Sequence, residues 1–343
     1  MSMLLHDYFQ TVQADQECGP RIAVLLPCYN EALAIQAVIA QFQRALPDAD
    51  IFVYDNNSID GSGVLAKAAG AIVRQETRQG KGFVVRRMFA DIDADIYVMC
   101  DADETYEAEA APAMVKKLID EGLDMVVGSR THAEAGAYRP AHKFGNWMLS
   151  SLVRSTFGRG FDDMLSGYRV FSRRFVKSFP VMAQGFEIET ELTIHALQLE
   201  MPTTEVPTRF SGRLEGSQSK LNTVSDGLRI LLTIVVLLRM ERPFQFFGVT
   251  AIALFTTSLG FGVPVIADFL ATGLVVRLPT AILAAGAMIL ASLSFCCALI
   301  LDTVTRGRKE AKRLRYLALP APIELLGLRP PSQQIQRLSL DEE

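Results

Sequence analysis

Two stretches near the C-terminus, Phe244 to Ala267 and Leu278 to Leu301, contain no charged residue. They constrain the rest of the chain more than any other feature. At about 1.5 Å per residue, each would reach roughly 36 Å as a helix, enough to cross a hydrocarbon core of about 30 Å. Helices buried in a soluble bundle are rarely so apolar over that length, so the two stretches read as membrane spans. The link Asp268 to Arg277 joins them into a hairpin, which also offers a surface for homo-oligomer formation. Basic residues give a direction. Arg239 and Arg242 precede the first span, and Arg306, Arg308, Lys309, Lys312, Arg313 and Arg315 follow the second. The link holds only Arg277, against Asp268. By the positive-inside rule, both termini and the domain before the hairpin are expected in the cytoplasm, on a multi-pass protein of the inner (cytoplasmic) membrane. The basic tail, 302–343, suits contact with anionic lipid. Residues 224–243 form an apolar helix edged by arginines, too short to span, and read as an interfacial juxtamembrane segment.

Ahead of the hairpin the chain alternates. Residues 1–20 are a mixed extension, with no apolar signal segment. From Arg21 to about Thr223, short apolar runs alternate with helix-compatible stretches. Arg21 to Pro27, Ile51 to Tyr54, Ala71 to Arg74, Ile96 to Cys100 and Asp124 to Gly128 read as strands. Ala32 to Leu46, Gly63 to Ala69, Phe83 to Ile92 and Ala110 to Glu121 read as helices between them. Short links between such elements predict an α/β fold: a mainly parallel sheet with flanking helices. The second half is less regular. Ser166 to Phe171 holds a turn and a short strand, Phe186 to Leu199 a helix, and Thr203 to Phe210 an alternating strand.

A formal net charge of −4 gives no case for nucleic-acid binding. The 5 cysteines lack Cys-x-x-Cys spacing and read as buried thiols, and the 4 histidines form no zinc pattern. Ligands of open α/β sheets bind beyond the carboxyl ends of the strands. Three polar clusters fall there: Asn30-Glu31, Asp55-Asn56-Asn57 and Asp101-Ala102-Asp103. Paired carboxylates one residue apart suit Mg²⁺ or Mn²⁺, which often bridge to substrate phosphates. The same pair serves equally well to start a helix near Glu104 and Glu107. No Gly-x-Gly-x-x-Gly follows the first strand, and Lys81 is followed by Gly82 rather than Ser or Thr. Dinucleotide and ATP sites of the usual kinds are therefore disfavoured.

The motifs taken together are more specific. Pro27-Cys28-Tyr29-Asn30-Glu31, Tyr54 to Gly61, Gly80-Lys81-Gly82, Asp101-Ala102-Asp103, Ser166-Gly167-Tyr168-Arg169 and Gly216 to Leu221 occur in this order. In that order they resemble family 2 glycosyltransferases of the GT-A fold, in particular the dolichyl- or polyprenyl-phosphate hexose synthases with a C-terminal membrane hairpin. The resemblance runs from Arg21 to about Arg229. It implies metal-dependent, inverting transfer of a hexose-type sugar from a UDP- or GDP-sugar to a polyprenyl phosphate. Pro27, Tyr29, Glu31, Asp55, Asn57, Lys81 and Ala102 would shape the donor nucleotide site. Asp103, with Asp101, would bind Mg²⁺ or Mn²⁺, and the metal would neutralise charge on the leaving diphosphate. The family often has Gln as a further metal ligand two residues on; here Thr105 stands there, and its hydroxyl or a water would take that place. Arg130, Arg213 and Lys220 match basic positions that bind phosphates, with Arg139 and Lys143 behind them.

From the residues alone, several of these have plainer roles. Asp55 suits a turn, Glu31 a helix cap, and each lone cation a solvated surface. Asp162 or Asp163 would orient the acceptor or act as base, or would only pair with Arg169. Of Glu187, Glu189 and Glu191, spread around a helix, only Glu187 is assigned to the pocket. A processive polysaccharide synthase is disfavoured because Trp147 lacks the Gln-x-x-Arg-Trp context. Two other readings stay open: direct glycosylation of a lipid hydroxyl, and a non-catalytic membrane-bound nucleotide-sugar sensor.

Overall fold

The computed structural model describes residues 20–133, 161–185, 187–212 and 242–322, with scattered positions between 150–154 and 236–240. The chain divides into two compact units, 1–223 together with 312–343, and 224–311.

The first unit is built on a seven-stranded sheet in the order β3-β2-β1-β4-β6-β5-β7. Its strands are β1 (Ile22–Cys28), β2 (Asp50–Asp55), β3 (Ile72–Gln75), β4 (Ile96–Met99), β5 (Met125–Ala133), β6 (Arg169–Ser172) and β7 (Thr203–Phe210). Helices α1 (Ile35–Ala45), α2 (Ser62–Ala68), α3 (Lys81–Asp91), α4 (Ala111–Asp120), α5 (Arg173–Ser178) and α6 (Ile188–Gln198) flank it. The central strands carry unbroken apolar runs because both faces are covered. Val24, Leu26 and Val98 face one core with Ile35, Ile39 and Phe42 of α1 and Met114 of α4. Successive residues of a strand point to opposite faces. On the other face Phe171 of β6 stacks on Phe175 of α5 and meets Phe89 of α3 edge-on.

Strand direction explains where polar residues gather. β1, β2, β3 and β4 are mutually parallel, with Cys28 beside Asp55 and Leu25 beside Met99. β6 runs antiparallel to both β4 and β5, and pairs Arg169 with Met99 and with Val127. Its entry loop, Ser166-Gly167-Tyr168, therefore lies at the edge where β1, β2, β4 and β5 end. The sheet is mixed and mainly parallel, as expected.

In the second unit α7 (Pro243–Thr272) and α8 (Leu278–Leu317) are both long and apolar enough to cross a membrane. Past Pro243, their buried residues recur every seventh position: Ala251, Ser258 and Val265 on α7, and Ala284, Ala291, Ala298 and Thr305 on α8. A heptad seam of mostly small residues lets two helices pack closely. The Ser258 hydroxyl donates to the Ala284 carbonyl at 2.7 Å. Large side chains such as Phe255, Leu270, Ile282 and Leu293 face outward. The turn between the helices is shorter than the charge pattern implied. α7 continues past Asp268 to Thr272, where Gly273 ends it at φ 71°. α8 continues through the basic run because Arg and Lys are good helix formers. The expected juxtamembrane helix lies outside the described residues, apart from isolated positions.

Candidate active site

The loops after β1 and β2 are stitched together. Ser58 Oγ accepts from the Asn30 N–H and Ser62 Oγ from the Glu31 N–H, while Asn30 Oδ1 accepts from the Ile59 N–H. Asp60 accepts from the Ala32 N–H and from Ser62. Pro27 is half-buried, Glu31 is buried and Tyr29 is exposed on this platform. Asp55 ends β2 buried, its Oδ1 accepting from the Ser58 N–H at 3.1 Å. A Cβ on Gly63 would come within 3.3 Å of Asp55 Oδ2, so a larger residue there would nudge the carboxylate. Asn57, at φ 65°, donates to the Thr77 carbonyl and to Gln79. Buried Asn56, absent from the expected set, ties β2 to the next loop. Its amide donates to the carbonyls of Glu76 and Arg78, and its Oδ1 accepts from the Gly80 N–H at 2.8 Å.

Gly80-Lys81-Gly82 then meets the segment before α6. The Gly82 N–H donates to the Gln184 carbonyl at 3.1 Å, and a Cβ on Gly80 or Gly82 would collide with the backbone of Gln184 or Ala183. The glycines permit that approach; Gly80 also has φ 138°. Lys81, the first residue of α3, is thereby placed beside β4. Its Nζ lies 2.5 Å from Asp101 Oδ1 and 2.5 Å from Glu189 Oε1. Burial alone would lower the ammonium's pKa, but the carboxylates of Asp101 and Glu189 outweigh it and hold the pKa well above the usual lysine range. Asp101 is also backed by Gly167, whose N–H donates to the Tyr106 hydroxyl at 2.9 Å.

Ala102 and Asp103 are buried, and the Thr105 hydroxyl donates to Asp103 Oδ1 at 2.6 Å. Thr105 thus orients the second aspartate of the pair. Asp101 and Asp103 are two hard carboxylates at the end of a central strand. Among the described residues no group of three or more His, Cys, Asp or Glu side chains could hold a metal. A pair of hard carboxylates would suit Mg²⁺ or Mn²⁺, which need few protein ligands.

Across the same edge, β5 carries Arg130. It grips Asp163 with its backbone N–H, Nε and Nη2, at 3.0, 2.7 and 2.6 Å. Burial works against the Asp163 charge, yet Arg130 keeps its pKa below the ordinary carboxylate value. Asp162 points to solvent and pairs with Arg154. The Arg169 charge also favours ionised Asp163, but its guanidinium bonds elsewhere. That side chain is fully buried, donating to the carbonyls of Ser166 and Met164 and to the Thr193 hydroxyl. Burial brings its pKa down to about 10, still charged at neutral pH. Glu187 accepts from the Gln184 and Gly185 N–H groups, and Glu191 from those of Met182 and Ala183, so both hold a loop. Glu189, between them, is the one that reaches Lys81. Arg139, Lys143, Arg213 and Lys220 lie outside the described residues.

Residues 23–179 match the model of the glycosyl transferase family 2. The chain is 36% identical over 241 residues to glycosyltransferase AglJ of Haloferax volcanii, covering 70% of this chain and 79% of that one. It is 24% identical over 216 residues to an undecaprenyl-phosphate mannosyltransferase of Micrococcus luteus, covering 59% and 88%. Its fold is similar to the glucosyl-3-phosphoglycerate synthase of Mycobacterium tuberculosis, solved with Mn²⁺, uridine diphosphate and phosphoglyceric acid. There the TM-score is 0.53 at 25% identity, over 66% of this chain and 79% of that one. The sheet is of the GT-A type, and the chain belongs to glycosyl transferase family 2. It is a glycosyltransferase.

Proposed function

We propose that the protein moves a hexose-type sugar from a nucleotide-diphosphate sugar to a polyprenyl phosphate at the cytoplasmic face of the membrane. The observation that carries this reading is the Asp101/Asp103 pair, braced by Lys81 at the strand edge that also holds Asp55, in a chain with an apolar helical hairpin. The relative named for undecaprenyl-phosphate mannosyl transfer supports the acceptor class.

In this reading Asp55 and the Pro27–Glu31 loop receive the nucleoside, and Asn57 fixes the loop beside it. Asp101 and Asp103 would hold Mg²⁺ or Mn²⁺, which neutralises charge on the diphosphate. Thr105 orients Asp103, and Lys81 adds positive charge beside Asp101. Arg213 and Lys220 draw the lipid phosphate to the donor, beside the Arg130–Asp163 pair. A phosphate oxygen of the lipid attacks the anomeric carbon, forming the new C–O bond as the bond to the diphosphate breaks, with inversion. A lipid phosphate is already anionic, so no general base is required. Asp163, neutralised by Arg130, is then a shaping residue. The apolar hairpin brings a bilayer-bound acceptor to a cytoplasmic donor, with both termini in the cytoplasm.

The test is a donor and acceptor screen on purified full-length protein with Mn²⁺. UDP- and GDP-sugars with undecaprenyl phosphate should yield nucleoside diphosphate and a lipid-linked sugar. Transfer to a lipid alcohol but not to the lipid phosphate would overturn the acceptor assignment. Tight donor binding without turnover on any acceptor would identify a sensor.

A further inference from the structure

Glu189 has no role in the reading above, yet it is the most enclosed member of the ion cluster at the site. Its side chain is 6% exposed, that of Lys81 9% and that of Asp101 32%. Lys81 therefore stands between a carboxylate that faces the site and one that faces the interior. A lone buried ammonium would take Asp101 as its full counter-ion and cancel the charge the pair needs for a cation. A second carboxylate on the inner side changes this balance. It satisfies the ammonium from behind, so Lys81 can fix Asp101 in place while the Asp101/Asp103 pair stays negative. The buried cation Arg169 is joined to the Glu189 backbone through the Thr193 hydroxyl.

The position of Glu189 is itself well fixed. Its neighbours Glu187 and Glu191 hold the segment before and around the start of α6 by its N–H groups. The Gln184 carbonyl of that segment accepts from the Gly82 N–H, one residue past Lys81. The Glu189 carbonyl accepts from the Thr193 hydroxyl, which in turn accepts from Arg169.

We propose that Glu189 is a positioning residue of the donor site: through Lys81 it sets the place and the charge of Asp101, and so the affinity of the aspartate pair for a divalent cation on the donor diphosphate. This rests on the reading of Asp101 and Asp103 as the cation site.

The experiment measures how much Mn²⁺ tightens the binding of UDP, and in a parallel arm of GDP, to full-length protein in detergent. Calorimetry with and without the metal gives the tightening factor. In Glu189→Gln the factor should fall by about tenfold, the effect typical of losing an outer-shell partner of a metal ligand. Metal-free nucleotide affinity, measured in the same titrations, is the baseline against which that factor is taken. Glu189→Asp keeps the charge and should recover part of the factor, and it stands as the test if the glutamine variant does not fold. A folded Glu189→Gln, or in its absence Glu189→Asp, with the wild-type tightening factor would overturn the proposal. Asp103→Asn separates the two levels. If it too leaves the factor unchanged, the cation reading fails; if it abolishes the factor while Glu189→Gln does not, only the role of Glu189 fails.

Discussion

Gly167 presses on Asp101: a Cβ added there would collide with the aspartate's Oδ2. On its other side Asp101 is held by Lys81 at 2.5 Å. An alanine at 167 must push the carboxylate or shift the loop entering β6. Gly167→Ala should therefore lower kcat/KM by about 10²-fold, as expected for a displacement of about 1 Å in a reacting site. The melting midpoint should fall by only a few degrees. Steady-state kinetics and thermal melts of the same preparation check this; wild-type rates would show that the position of Asp101 is immaterial.

Asp103 and Thr105 differ in kind. Asp103→Asn keeps the shape and removes the charge, and should cost at least about 10²-fold in metal-dependent turnover. Thr105→Val removes the hydroxyl that donates to Asp103 at 2.6 Å and should cost about tenfold. Thr105→Ser keeps the hydroxyl and should stay near wild type. Equal losses for the valine and serine variants would refute an orienting role for the hydroxyl.

Arg130 and Asp163 form a mostly buried pair, with side chains 14% and 8% exposed. Truncating Arg130 to alanine strands a buried carboxylate and should cost about 3–5 kcal/mol of stability. The double variant Arg130→Met with Asp163→Leu should cost less than Arg130→Ala alone, because both charges leave together. Denaturant melts of wild type, Arg130→Met, Asp163→Leu and the double variant give the coupling.

His195 supplies a pH dependence. It is 1% exposed among Phe175 and Phe179, its Nε2 lies 3.2 Å from Ser178 Oγ, and among the described residues its Nδ1 has no hydrogen-bond partner. Burial, and then Lys312, bring its pKa down to about 3 from an ordinary value of about 6.5. The folded state holds the ring neutral, so the unfolded chain binds the extra proton first. The stability is fully present above about pH 6.5 and is lost as pH falls toward about 3, by up to about 1.4 kcal/mol per unit. Glutamine cannot titrate, so His195→Gln should flatten that part of the stability profile. Identical slopes from pH 6.5 to 4 in wild type and variant would exclude His195 as the source.

The alternating pattern from Arg21 to Gly128 was readable because each strand there is a short apolar run and each helix has its own periodicity. Ile96 to Cys100 was expected as a strand, and Ile96–Met99 forms one. The clustering of Asn30-Glu31, Asp55 and Asp101 followed from parallel strand ends. Contacts between distant segments were not readable. Glu189 meets Lys81 across 108 positions, and Arg130 meets Asp163 across 33. Nothing local distinguishes Glu189 from Glu187 and Glu191; only the fold selects which of three alternating carboxylates faces inward. Arg169 was legible as part of a motif, but its role as a buried clasp on the carbonyls of Met164 and Ser166 depends on where β6 enters the sheet.

The placement of β6 also has a temporal side. β4 finds its second neighbour only when Ile96 pairs with Ser172, far later in the chain. At roughly 5–20 residues per second of synthesis, the emerging polypeptide carries an unpaired central edge for several seconds. An open edge of Ile-Tyr-Val-Met is a template for wrong pairing with other chains. The nascent protein thus carries a sheet edge open to wrong pairing after β4 and before Arg169 to Ser172 leave the ribosome, ahead of the arrival of either apolar helix.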